Sequence, residues 1–121
     1  MRVLHADGEP GRATDAERVL AADIEVADSL FAQARGLTFR RSVPDGYALV
    51  FRFDGQATRR LHTVCVPFDI DAVWVANGVV QRVRRLSAWT GYGSAVADTV
   101  VELPAGAGDG ITTGDRVWVA P

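Results

Sequence analysis

Lysine is missing from this chain: its 13 cationic side chains, in 121 residues, are all arginine. That excludes a P-loop, whose lysine reaches the phosphates, and a pyridoxal-phosphate enzyme, which needs a lysine Schiff base. A single cysteine, Cys65, excludes an intrachain disulfide and fits a reducing compartment. No apolar run approaches the roughly 18 residues that span a bilayer. The start, Met1-Arg2-Val3-Leu4-His5-Ala6-Asp7, has no apolar block before a small-residue cleavage site. No membrane association and a cytoplasmic location are therefore expected. Histidine is scarce too. His62-x-x-Cys65 has suggestive spacing, but a closed zinc site needs four ligands, and only His5, His62 and Cys65 stand beside the carboxylates. No metal and no cofactor are expected.

What is present is an ordinary globular composition, 48% apolar and 23% charged. The length suits a single domain, residues 1–121, with a real core. Net charge is −2, unevenly spread. Residues 1–28 hold seven carboxylates against three arginines, and residues 35–60 hold six arginines against Asp45 and Asp54. Such an imbalance can steer an anionic partner, although a solvated surface produces it as well.

Turn signals are frequent. Val3 and Leu4 suggest a short strand, and residues 5–17, with Gly8, Pro10 and Gly11, read as a flexible N-terminal loop. Residues 18–27 read as one strand, with Asp23 and Glu25 facing away from Ile24 and Val26. Asp28 is a good N-cap, Leu30, Phe31, Ala34 and Leu37 fall at helical spacing, Arg35 suits the last turn and Gly36 suits the position just past the helix end. That predicts one short helix near residues 29–35. Pro44-Asp45-Gly46 is a turn into a buried strand over 47–53. Asp54-Gly55 begins a connection to a strand over 59–68. Asn77-Gly78 between 71–76 and 79–86 is a strong hairpin signal. Residues 87–94 form a loop, and 98–103 and 116–120 are further strands. The expected fold is mainly β: a small, partly closed barrel with one short helix.

Three blocks carry a resemblance. They are Ala34-Arg35-Gly36-Leu37-Thr38-Phe39-Arg40, then His62-Thr63 through Phe68, Ile70 and Asp71, then Glu102-Leu103-Pro104-Ala105-Gly106 with Gly114-Asp115 downstream. In order and spacing they resemble the family called domain of unknown function 192, from about Asp23 to Val119. Thr38 stands where that family often has Met, Cys65 and Val66 where Gly and Met are common, and Asp69 where Pro is usual. The resemblance implies a compact β-rich fold and no reaction.

The block around His62 supplies the candidate sites. In a regular strand His62, Val64, Val66 and Phe68 share an inward face, and Cys65 lies on the other, a poor geometry for a Cys-His dyad. A bulge at 67–69 would bring Asp71 beside His62 at a barrel opening. The alternative is that each only hydrogen-bonds nearby backbone. Trp89 and Tyr92 in a Gly-flanked loop either contact a ligand or lid the barrel. Arg35 could fork a carboxylate or phosphate, or tie the helix to Glu102 or Asp71. The arginines at 40–41, 59–60, 82, 84 and 85 raise nucleic acid, but a pI near 5.6 and the lack of interleaved aromatics argue against it. Asp115 is expected to cap its own turn, and Glu102 to pair with an arginine.

Taken together, the expectation is a binding or accessory domain for a small molecule or protein segment, not an enzyme. Its site would be drawn from Arg35, His62, Asp71, Trp89 and Glu102. The rival is a small hydrolase or transferase with His62 as general base oriented by Asp71, although no nucleophile elbow exists. A structural or nucleic-acid interaction module is the third possibility.

Overall fold

The computed structural model describes residues 1–7, 17–27 and 42–121. Eight strands occur among them: β1 (Arg2–Ala6), β2 (Arg18–Ala21), β3 (Asp23–Ala27), β4 (Tyr47–His62), β5 (Ile70–Ala76), β6 (Val79–Leu86), β7 (Tyr92–Pro104) and β8 (Arg116–Ala120). The mainly β expectation holds. The helix expected near residues 29–35, and Arg35 with it, lies outside the described residues.

The strands form one sheet in the order β2-β1-β8-β6-β5-β7-β4-β3. Only the β3–β4 pair is parallel. The two edge strands, β2 and β3, follow each other in the chain with only Ala22 between them. One residue can bridge only a few ångströms, so the sheet must curl until its edges meet. No ladder joins β2 to β3, however, and the expected barrel is not closed by hydrogen bonds. The amides of Ala22 and Asp23 both donate to Gly46 O, at 3.0 Å each, instead of continuing a strand. That contact breaks the single strand expected over 18–27. β1 extends two residues into the stretch expected as loop, and buries His5 and Ala6.

β5 lies deep in the order and is buried along its whole length. A strand covered on both faces reads as a near-continuous apolar run. Val73 and Val75 enter one cluster with Val3, Leu20, Val50, Val101 and Val117. Ile70, Ala72 and Trp74 enter a second with Leu49, Phe51, Val66, Leu86 and Val100. Asp71 shares the first face by alternation, opposite Leu103 in register.

β4 and β7 are longer than expected, and this positions the candidate site. Their pairing slips between Arg52 and Ala57, where β4 bulges. Asp54-Gly55 therefore does not end the strand. Arg59 holds the bulge: its guanidinium lies 3.8 Å from the Phe53 ring centroid and donates to Gly55 O and Ala97 O. Beyond the bulge, residues 57–62 and 92–97 form a two-stranded ribbon that leaves β5 and lies over the second cluster. Trp74 Nε1–H donates to Arg59 O at 2.8 Å, and Arg82 donates to Ser94 O at 2.9 Å. A Cβ at Gly93 would stand 2.9 Å from the Trp74 ring, so glycine lets the ribbon settle there. No helix among the described residues is long and apolar enough to cross a membrane.

Candidate functional site

The ribbon ends in two loops, residues 63–69 and 87–91, which are bonded into one unit. Thr63 is fully buried, and its amide donates to Gly91 O at 3.0 Å. Its hydroxyl donates to Ser87 O and accepts from the Gly91 amide, both at 2.6 Å. Trp89 N–H donates to Val66 O at 3.0 Å. Asp69 Oδ1 accepts the Ala88 amide at 2.8 Å. This last bond comes from a residue standing where the resembled family usually has proline.

Each loop also carries a non-glycine residue in left-handed backbone, Cys65 at φ 62° and Trp89 at φ 66°. Bulky residues rarely adopt that conformation, and strain of this kind concentrates where a surface is held for use. Here the strain holds an indole in solvent: Trp89 is 57% exposed.

Register defines the ribbon's outer face. Thr58 opposes Val96, Arg60 opposes Ser94, and His62 opposes Tyr92. The intervening residues Leu61, Ala95 and Ala97 pack inward. Val64, Trp89, Tyr92 and Val96 are four of the seven large apolar side chains that stand exposed among the described residues. All four belong to this ribbon and its loops. Arg60 and His62 are exposed beside them.

The structure separates the residues that the sequence reading grouped. His62 ends β4 on the outer face of the ribbon, exposed, instead of looking into a closed assembly. Asp71 is buried on the opposite face of the sheet and is fully occupied. It accepts Arg85 Nε at 2.8 Å and Nη2 at 3.2 Å, the Gly106 amide at 2.8 Å and the Gly108 amide at 2.9 Å. Burial pushes its pKa up, but the Arg85 hydrogen bond, the two amides and the Arg85 charge together hold it below the ordinary value of 3.8. Asp71 thus stays ionised and anchors the 104–110 loop, and it cannot orient His62. This removes the geometry of the general-base alternative. Glu102 is buried on the second-cluster side, in register with Leu49 and Ala72. Among the described candidates, Trp89 is exposed like His62, on the loop that Thr63 ties to the end of β4.

Two clefts lie elsewhere. One of about 160 Å³ is lined by Arg52, Val75, Thr99, Val101 and Trp118, among others, and another of about 370 Å³ by Arg52, Asp54, Gln56 and Asp98, among others. Neither contains His62, Asp71 or Trp89.

The sequence reading missed one constellation. His5, Asp7 and Asp115 converge although 110 residues separate the first from the last. Asp115 does cap its turn, accepting the Thr112 amide at 2.9 Å, and the same oxygen faces His5. Nothing local in the sequence signals that pairing.

The family model of domain of unknown function 192, described as "Uncharacterized ACR", matches residues 12–119. The chain belongs to this family. No curated protein matches it. Two solved structures share the fold. One is a protein of unknown function from Novosphingobium aromaticivorans DSM 12444, 20% identical, with a TM-score of 0.79 over 98% of this chain and 84% of that one. The other, from Sinorhizobium meliloti 1021, is described as a "putative transcription regulator". It is 18% identical, with a TM-score of 0.74 over 97% of this chain and 92% of that one. At these identities the likeness is one of fold.

Proposed function

We propose that this member of the family is a cytoplasmic, non-enzymatic binding module that takes a protein segment on the outer face of the β4–β7 ribbon. One observation carries the reading: four exposed apolar side chains, two of them aromatic, stand on the outer face of the ribbon and on the pinned loops that end it. Scattered exposed apolar residues mean little, but a cluster rimmed by arginine has the composition of a protein contact. Trp89 and Val64 on the loops supply the anchor, and Tyr92, His62, Arg60 and Val96 extend the surface along the ribbon. A protein segment suits this face better than a small molecule, because the aromatics line neither cleft.

Native mass spectrometry of protein purified from its own host tests the reading. A co-purifying polypeptide should appear with the wild type and disappear with Trp89→Ala/Tyr92→Ala. A small-molecule mass that survives the double substitution would overturn it.

A further inference from the structure

The ribbon surface carries charge of one sign. The chain has no Asp or Glu between Asp54 and Asp69, and none between Asp71 and Asp98. Those two stretches hold Arg59, Arg60, Arg82, Arg84, Arg85 and His62. They also supply the ribbon and, apart from Asp69, both of its loops. In a chain of net charge −2 this is a local reversal of sign.

These basic groups are not equivalent. Arg85 pairs with Asp71 and Asp109, away from the ribbon's outer face. Arg59 holds the bulge, and Arg82 donates to Ser94 O at 2.9 Å. Arg60 and Arg84 are exposed, and no carboxylate among the described residues pairs with either. Arg60 stands on the outer face between the Thr58–Val96 and His62–Tyr92 pairs. Arg84 runs along the β7 edge: a Cβ at Gly93, between Tyr92 and Ser94, would stand 3.5 Å from its Cδ. The flanking acids are held elsewhere. Asp69 accepts the Ala88 amide and Asp98 the Asn77 amide.

We infer that the segment taken by the ribbon is acidic, an extended stretch that sets Asp or Glu between apolar side chains. The inference rests on the protein-segment reading and names the chemistry of that partner. Same-face side chains repeat about every 6.6 Å along a strand, in the ribbon and in an extended partner alike. A partner laid along the outer face would meet Val96, then Arg60, then Tyr92, and then Val64 and Trp89 on the loops. Apolar contact on both sides of a carboxylate keeps water from its pair with Arg60 and strengthens it. A short acidic segment also suits this molecule better than an extended polyanion. Charges are screened beyond about 10 Å at 0.1 M salt, so a segment confined to the ribbon feels its arginines. A nucleic acid or an anionic bilayer would extend over the rest of a chain whose net charge is negative.

The test is selection from a random library of short peptides displayed on phage, against the full chain. Peptides bound by the wild type should be enriched in Asp and Glu beside aromatic or aliphatic residues. Selection on Arg60→Gln/Arg84→Gln should lose the acidic enrichment and keep the apolar one. Both arginines are exposed, so this variant should melt like the wild type. A selected peptide should bind about fivefold more weakly once its acids are replaced by Asn and Gln, and the difference should vanish in the double variant and in high salt. Selected peptides that need Trp89 and Tyr92 but show no acidic enrichment would overturn the acidic partner and leave the protein-segment reading standing. If no selected peptide is released by Trp89→Ala/Tyr92→Ala, both fall. Tighter binding of phosphatidylserine vesicles or of single-stranded oligodeoxythymidine than of the selected peptide, lost in Arg60→Gln/Arg84→Gln, would overturn the proposal and assign the surface to lipid or nucleic acid.

Discussion

Gly108 donates its amide to Asp71 Oδ2 at 2.9 Å, and a Cβ added at Gly108 would stand 3.0 Å from that same oxygen. Close approach and hydrogen bond are one arrangement: the loop reaches the buried carboxylate only because position 108 has no side chain. Asp71 cannot retreat, since Arg85 and the Gly106 amide hold its other lone pairs. Gly108→Ala should therefore cost about 1–3 kcal/mol in urea denaturation. Gly106→Ala presents its Cβ to open space but sits at φ 98°, so its cost, of order 1–2 kcal/mol, is backbone strain. An undiminished midpoint for Gly108→Ala would show that the loop rests elsewhere.

The carboxylate itself makes stability depend on acid. Asp71 has a folded pKa below its ordinary value. The stability it contributes is thus fully present above the unfolded pKa, near 4, and is lost as pH falls through the folded pKa. Asp71→Asn should destabilise the protein by about 2–3 kcal/mol at pH 7 and by less at pH 3, because protonation has by then removed much of the wild-type advantage. Denaturation curves of both proteins at the two pH values check this. A constant difference between them would assign the acid sensitivity to other carboxylates.

Trp89 offers a test of strain that is separate from binding. Trp89→Ala and Trp89→Gly both remove an exposed ring, but only glycine relieves the left-handed backbone. At most positions glycine is the less stable of the two. Here Trp89→Gly should be more stable than Trp89→Ala by about 1 kcal/mol. Thermal melts of the pair decide the sign. The opposite order would mean that the loop relaxes once the indole is gone.

Much of the sheet was legible because its signals are local. Asn77-Gly78 forms the expected hairpin, with both residues in left-handed backbone at φ 54° and 79°. The partner of Asp71 was not legible. A regular two-residue hairpin places residue 84 opposite residue 71, but the pairing slips between Trp74 and Val75, so Arg85 faces Asp71 instead. β4 was read as two strands because Asp54-Gly55 is ordinarily a turn. The contacts of Arg59 with Gly55 O and the Phe53 ring hold a bulge there instead. His62 was placed inward from strand alternation. The side chains of the β4–β7 ribbon do alternate, but the ribbon lies over the sheet as a second layer, and the face of His62 becomes an outer one. Such layering depends on Gly93 meeting Trp74, a contact that no local pattern announces.

Thr63 tests whether the two loops act as one unit. Its hydroxyl is both donor to Ser87 O and acceptor from the Gly91 amide. Thr63→Val keeps the shape but removes the hydroxyl from both partners, leaving the Gly91 amide and Ser87 O only their mutual bond of 2.9 Å, in a site with no solvent access to position 63. Thr63→Ser keeps the hydroxyl and removes only a methyl group. The valine variant should lose about 2–3 kcal/mol and the serine variant about 1 kcal/mol. Hydrogen exchange gives the sharper readout. The Gly91 amide, left with Ser87 O as its acceptor, should exchange faster in Thr63→Val, and the Trp89 amide, bonded to Val66 O, should follow, because the second loop has lost the hydroxyl that ties it to the first. Faster exchange at Gly91 with Trp89 unchanged would show that the loops hold independently, and the pinned surface for Trp89 would then rest on the Val66 and Asp69 bonds alone.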